Sequence, residues 1–426
     1  VSRKPLWIIF ITVFIDLLGF AIVLPLLPRY ADHFLPPDSQ MRGPIIGCLM
    51  ASFSAMQFLF SPLWGSISDR IGRRPVLLIG LAGSTISYGA FGLVTQWGNS
   101  GPILGLSPLV WLFITRIGAG VSGATISTAQ AYIADCTDAS ARGKGMAIIG
   151  AAFGVGFAFG PILGALSVSG DPTAPPSPMP GYEAAALSLL AFLFGLTSLP
   201  ESLKKGGSVQ ASSHGRLKLA AMLRVVSHRT LGPIILAIFL TTFAFAQFET
   251  TLAKLTKAMG LDDRKNFYIF SYIGLILAIA QGALVRRLIP KLGEFKMAIA
   301  GVVLMTIGML LIGATALQGS VWLLIAVLPV SVIGFSSTTP SLQSMLSLNS
   351  GSDEQGEILG VGQGMSALAR IAGPVVGLSL QDRNLALPYW SASLLMAISV
   401  VMVLRLKSVV KLRDPTSNQT VDTAQH

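Results

Sequence analysis

The chain has 426 residues, of which 52% are hydrophobic and only 12% charged, and its formal net charge is +11. Soluble domains average roughly 25% charged residues, so a water-soluble globular fold is excluded and a membrane protein is expected. No basic stretch is interleaved with aromatics, so the charge does not point to nucleic acid. Cys48 and Cys136 form no metal-binding pair, and His33, His214, His228 and His426 lie outside the apolar runs, so neither a metal nor another cofactor is expected.

Arg3 and Lys4 precede an apolar run, Leu6 to Leu27, that is too long for a signal peptide and lacks a small-x-small cleavage site; it reads as the first membrane helix. Apolar runs between charged or Pro/Gly punctuation predict helices over 6–28, 44–67, 76–97, 108–133, 146–168 and 184–199. A second set follows over 231–255, 267–285, 297–317, 321–346, 357–380 and 388–404. Twelve spans of about 20 residues use about 240 residues and leave ample chain for loops. The expected fold class is therefore an all-α polytopic membrane protein with 12 transmembrane helices. The expected domains are an N-terminal six-helix bundle (1–200), a cytoplasmic linker (201–230), a C-terminal six-helix bundle (231–404) and a cytoplasmic tail (405–426).

Orientation follows from the basic residues. With an even number of spans, 21 Lys and Arg fall on the side of the termini and linker, 7 on the opposite side, and Arg116 and Arg370 inside helices. Both termini are expected in the cytoplasm, with the chain in the cell (inner) membrane. The sequon Asn418-Gln419-Thr420 then lies in the cytoplasmic tail and is inert. Gly160-Pro161-Ile162-Leu163-Gly164 recurs as Gly373-Pro374-Val375-Val376-Gly377, which implies a parallel repeat of two six-helix units with a binding site near the bilayer midplane.

Between the second and third helices stands Gly65-Ser66-Ile67-Ser68-Asp69-Arg70-Ile71-Gly72-Arg73-Arg74-Pro75. Gly65 permits close helix contact and Gly72 a tight turn, Asp69 suits the positive start of the third helix, and the arginines hold the loop at the lipid face. Asp135, Arg142 and Gly143 offer further gate contacts; a plain solvated pair is equally open. Arg116-Ile117-Gly118-Ala119-Gly120 puts an arginine mid-helix, at a cost of about 2.5–3.5 kcal/mol on insertion scales, so it faces a cavity or a partner. Asp16, at similar depth, is the candidate partner; a proton-coupling pair and a permanent packing pair are both open. In the fifth helix, Gly154, Gly160 and Gly164 allow close packing and Pro161 a kink. Gln57, Phe243, Gln247, Glu249 and Arg370 are candidate substrate contacts, with Phe245 a further apolar wall, while Glu357 suits a helix cap. The loop from Gly282 to Glu294 is a degraded copy of the 65–75 segment with Arg286 in place of Asp69. No GxxxxGK[ST] occurs, so ATP hydrolysis by a P-loop is excluded.

The 65–75 segment resembles the signature loop of the major facilitator superfamily, Arg116 to Gly120 its RxxxG pattern, and the Gly-Pro run of the fifth helix its antiporter motif. Asp16-Leu17-Leu18-Gly19-Phe20 with Pro25-Leu26-Leu27-Pro28 resembles the first helix of its tetracycline-resistance-type drug/proton antiporters. The resemblance implies a non-enzymatic secondary transporter that exports a small amphipathic molecule, a drug or tetracycline-like compound, in exchange for protons by alternating access, with the lipid bilayer as its other partner. A monomer is the expected working unit. Asp16 and Arg116 would couple protons, Gly65, Asp69, Arg70, Gly72, Arg73, Arg74, Asp135 and Arg142 would gate the cytoplasmic side, and Gly154, Gly160, Pro161 and Gly164 would form the hinge. A facilitator or proton symporter for a sugar or organic acid, and a non-transporting receptor or structural protein, are the alternatives.

Overall fold

The computed structural model describes residues 3–36, 39, 41–137, 142–171, 174–203, 225–350 and 355–406, without the side chains of 3–5, 142–151, 153 and 355–357. The linker's basic cluster, the sequon and the tail beyond 406 lie outside the described residues, as do the side chains of Arg142 and Glu357. All long elements are helices: α1 (Arg3–Val23), α2 (Leu27–His33), α3 (Arg42–Ile71), α4 (Arg73–Gly98), α5 (Pro108–Gly123), α6 (Ile126–Asp135), α7 (Arg142–Leu166) and α8 (Met179–Ser198). After the linker come α9 (Leu231–Ala258), α10 (Asp263–Ile279), a π turn (Ala280–Val285), α11 (Arg286–Leu292), α12 (Glu294–Gln318), α13 (Val321–Leu348), α14 (Gln355–Gln381) and α15 (Leu387–Arg405).

Among the described residues ten helical segments are long and apolar enough to cross a membrane, and α7 and α14 complete the twelve expected spans. The ends differ from the hydropathy reading for local reasons. The first span breaks between Val23 and Leu27, where Pro25 removes a backbone donor and crowds the preceding turn. The fourth breaks between Gly123 and Ile126, and the sixth begins earlier than expected, at Met179 with Pro180 in its first turn. The expected 68–75 loop is a single-residue turn: α3 runs to Ile71 and α4 starts at Arg73, with Gly72 at φ +109° making the corner that an L side chain would strain.

The chain packs as two compact units. The first comprises Val1–Arg216 together with Thr250–Leu275 and Pro374–Asp382. Within it α1 lies on α7 and α8, and α4 on α5 and α8. One core of this unit gathers Leu26, Leu27, Tyr30, Phe53 and Phe91 with Phe267 and Leu378; another gathers Ile9, Leu17, Leu77, Tyr132 and Leu199. The second unit comprises Leu217–Glu249, Ile276–Gly373 and Arg383–His426. There α12 packs on α13 and α15 around a core that includes Leu231, Ile235, Phe295, Met345 and Val403. Large apolar side chains such as Trp7, Ile86, Leu190, Trp322 and Leu394 stay exposed on the helices, as a hydrocarbon solvent requires.

Candidate functional site

Asp16 sits mid-way along α1 and is only partly exposed. Ser188 of α8 donates to its Oδ1 at 2.9 Å, and Ser84 of α4 reaches the same carboxylate. Arg116, on α5, is 2% exposed. The structure corrects the expected pairing: among the described residues Asp16 and Arg116 form no ion pair. Tyr88 of α4, also buried, lies within electrostatic reach of both. Ser84, Ser188 and Tyr88 were missed from the sequence, because a hydroxyl on an apolar helix carries no signal of what it will meet.

Arg116 packs on aromatic faces instead. Its guanidinium carbon lies 4.6 Å from the Phe53 ring centroid and 6.0 Å from that of Phe20, and those two rings are 4.9 Å apart. Phe157 meets Phe20 edge-on at 5.9 Å. Among the described residues Nε and Nη1 of Arg116 are buried without a hydrogen-bond partner. A buried guanidinium keeps its charge. Desolvated cation–π contact returns about 2 kcal/mol, against several kcal/mol for burying an ion, so these protein groups leave the charge under-compensated.

At the Gly72 turn the charges are compensated. Arg73 pairs with Asp69, donates from Nε to Asp135 Oδ2 at 3.1 Å and from Nη1 to Ser68 Oγ at 2.7 Å. Ser202 Oγ donates to the same Asp135 oxygen at 3.1 Å. Asp69 thus lies in the last turn of α3 and does not serve the start of α4, as its sequence position suggested. Glu201 does: its carboxylate accepts from the backbone N–H of Arg73 at 2.9 Å and of Arg74 at 3.2 Å. Arg74 Nη2 donates to the Leu196 carbonyl at 2.6 Å, and Arg70 is exposed. The first turn of α4 has no acidic residue of its own, a deficit that could have directed attention to Glu201.

The glycines divide. Among the described residues a Cβ on Gly65 or Gly154 would meet nothing within 4 Å, so neither makes there the close helix contact expected of it. A Cβ on Gly160 would come within 2.5 Å of Ala21 Cβ, which fixes the approach of α7 to α1, and one on Gly164 would strike the Phe267 ring. Pro161 is accommodated inside a continuous α7.

The first unit carries a clamp at the end of α3 opposite Gly72. Arg29, 5% exposed, donates to Asp263 Oδ1 at 2.7 Å, to Thr256 Oγ1 at 2.9 Å and to the Ala253 carbonyl at 3.0 Å. Asn266 Nδ2 donates to the Pro25 carbonyl at 3.1 Å. Asp382 accepts from Lys254 Nζ at 2.9 Å and, through its other oxygen, from the Gly43 backbone N–H. These contacts join α2 and α3 to the ends of α9, α10 and α14 within one compact unit, and the sequence reading had given none of them a role.

Of the remaining candidates, Gln57 donates to the Gly123 carbonyl at 3.2 Å. In the second unit Glu249 and Arg370 lie within electrostatic reach of one another, which gives Arg370 the acidic neighbour that the sequence did not identify. Gln247 is buried and accepts from Ser391 Oγ at 3.3 Å; Phe243 stacks on Phe239, and Phe245 on Phe335 at 3.8 Å. Among the described residues no three His, Cys, Asp or Glu side chains gather as a metal site.

The family model of the Major Facilitator Superfamily matches residues 9–374. The chain belongs to this superfamily. It is an integral multi-pass membrane transporter and not an enzyme. It is 31% identical over 387 residues to the class C tetracycline resistance protein of Escherichia coli, covering 88% of this chain and 89% of that one. It is 30% identical to major facilitator superfamily domain-containing protein 10 of Homo sapiens, over 92% of this chain and 88% of that one. The crystal structure of the human organic anion transporter MFSD10 (TETRAN) superposes with a TM-score of 0.68 at 28% identity, covering 94% and 99% of the two chains. A D-xylose-proton symporter shares the fold, with a TM-score of 0.75 at 18% identity over 96% and 98%.

Proposed function

We propose that the transporter exports a small amphipathic molecule in exchange for protons, with both termini and the Gly72 turn on the cytoplasmic side. The observation that carries this reading is Asp16: a carboxylate partly buried at mid-helix, held by serine hydroxyls and, among the described residues, without an ion-paired cation. A carboxylate so placed gains and loses a proton without breaking an ion pair, and its occupancy can be tied to which side of the membrane it faces. The tetracycline resistance proteins among its relatives support export of a drug-like compound. One positive charge moving inward through about 100 mV supplies roughly 2.3 kcal/mol for each proton exchanged.

The proposal extends to the working parts. Arg73, Asp69, Asp135 and Glu201 form the cytoplasmic gate, the Gly160–Gly164 stretch of α7 the moving seam, and the bundles 1–200 and 231–404 the rocking bodies, in a chain that acts as a monomer. In acidified everted vesicles, a substrate should release protons with the wild type and not with Asp16→Asn. Full coupling in Asp16→Asn would reject Asp16 as the proton site. Exit of preloaded substrate from the lumen together with the protons would favour the symporter reading instead.

A further inference from the structure

Asp16 accounts for the proton and the Gly72 turn for the gate, yet neither uses Arg116. Its cationic head is 2% exposed, lies on Phe53 at 4.6 Å and near Phe20 at 6.0 Å, and leaves Nε and Nη1 without an acceptor. Stacking engages the face of a guanidinium and leaves its in-plane N–H groups unspent, the geometry that receives a planar acid as a fork. The serine-held carboxylate of Asp16 does not fill that place. The neighbours that remain are the Phe20 and Phe53 rings, with Phe157 edge-on behind Phe20, and the neutral phenol of Tyr88, so that among the described residues the cation has rings and a hydroxyl about it and no carboxylate paired to it.

We infer that Arg116 is the anion-binding point of the transport site, and that the substrate is an aromatic or otherwise flat amphipathic molecule bearing a carboxylate or an equally acidic group. The acid takes the buried, unpartnered donors Nε and Nη1 of Arg116 once the transport site opens to it, and the apolar body lies against Phe20 and Phe53. The inference rests on the reading of the chain as a small-molecule transporter and deepens it: the proton and the substrate charge occupy different side chains, Asp16 and Arg116. Export of a monoanion against one incoming proton then moves two charges in the same electrical sense, so the cycle is electrogenic.

The test uses the purified full-length transporter and a panel of one- to three-ring aryl carboxylates, each beside its neutral primary amide. Binding is followed by titration calorimetry for wild type, Arg116→Gln, Arg116→Lys and Asp16→Asn. The best-binding carboxylate is expected to exceed its amide by 10-fold or more in wild type. Arg116→Gln should abolish that preference while leaving amide affinity within about threefold, Arg116→Lys should keep part of it, and Asp16→Asn, whose overall affinity is free to change through coupling, should still favour the acid over the amide. The inference is overturned if no carboxylate in the panel outbinds its amide, if Arg116→Gln or Arg116→Lys weakens acid and amide alike, or if the preference disappears in Asp16→Asn. If Arg116→Gln does not fold, the wild-type comparison and Arg116→Lys still decide. Proton release in vesicles is read separately: a preserved acid preference at Arg116 without proton exchange would sink antiport and leave the anion site standing.

Discussion

Replacing Arg29 by Gln tests whether the clamp opposite Gly72 must open during transport. The side chain donates three hydrogen bonds, one of them to the ionised Asp263 at 2.7 Å. Removing one member of a fully buried ion pair costs about 3–5 kcal/mol. Here Asp263 is 27% exposed, so water can reach it once Arg29 is gone, and Thr256 keeps Asn266 and Ala253 as partners. The loss is accordingly nearer the value of a hydrogen bond to a charged group, with a second bond added, about 2–3 kcal/mol. If the contacts exist only in the closed state, this favours the open one by roughly 30- to 140-fold. The assay is thiol labelling from the side opposite Gly72, at Ser271→Cys in a background of Cys48→Ser and Cys136→Ser. Ser271 is 9% exposed and lies one turn from Phe267, whose carbonyl its hydroxyl meets at 3.0 Å. The labelling rate should rise by that factor in Arg29→Gln, and Asp263→Asn added to it should change the rate much less than Asp263→Asn alone. A labelling rate unchanged within about threefold, with the melting temperature lowered, would refute the reasoning and leave Arg29 a packing residue.

Two further substitutions address local structure. Glu201→Gln removes the charge that accepts from the first N–H groups of α4 and should lower stability by about 1 kcal/mol, read as a fall in the melting temperature in detergent; an unchanged value would reject the capping role. Asp262, outside the spans, accepts from the Lys265 backbone N–H at 2.8 Å and from its ammonium at 3.1 Å. Burial alone would raise the Asp262 carboxyl, but the Lys265 bonds and charge outweigh it and hold the carboxyl below its usual range. A depressed carboxylate stabilises the fold above its ordinary pKa, and that stabilisation is lost as pH falls through the folded value. Asp262→Ala should therefore cost about 1 kcal/mol at neutral pH, and the gap from wild type should close below about pH 4. A gap independent of pH would assign the loss to packing.

The twelve spans were legible because a bilayer demands about 20 apolar residues for each crossing, and the sequence supplies them in blocks. Their ends were less so, since hydropathy does not see what closes a helix. The turn at Gly72 reads as an eight-residue loop because its charges break the apolar run, whereas those same charges, paired as Arg73 with Asp69 and Asp135, allow α3 and α4 to continue to within one residue of each other. Residues that act through backbone geometry or intrinsic charge could be nominated from the chain: Gly72, Asp16, Arg116, Arg73. Residues that act by arriving from elsewhere could not. Ser188 reaches Asp16 from 172 positions away, and Asp263 reaches Arg29 from 234. Depth arithmetic placed Asp16 and Arg116 level in the membrane, but a shared depth says nothing about rotation around the helix axis, and rotation puts one among serines and the other among phenylalanines.

That separation bears on how the first unit works. Three of its basic residues near the helix ends are matched: Arg73 by Asp69 and Asp135, Arg29 by Asp263, Lys254 by Asp382. In each of these pairs water reaches the acid, so an unmatched charge there would cost less than at mid-helix. At mid-helix, where an unmatched charge costs most, Asp16 and Arg116 are left without one another. A fold selected only for stability would show the reverse pattern, pairing the expensive charges first. The expense is retained where the proposed cycle needs exchangeable partners, a proton at the carboxylate and an acid at the guanidinium. Each then completes the local charge balance for only part of the cycle, and a permanent Asp16–Arg116 pair would exclude both.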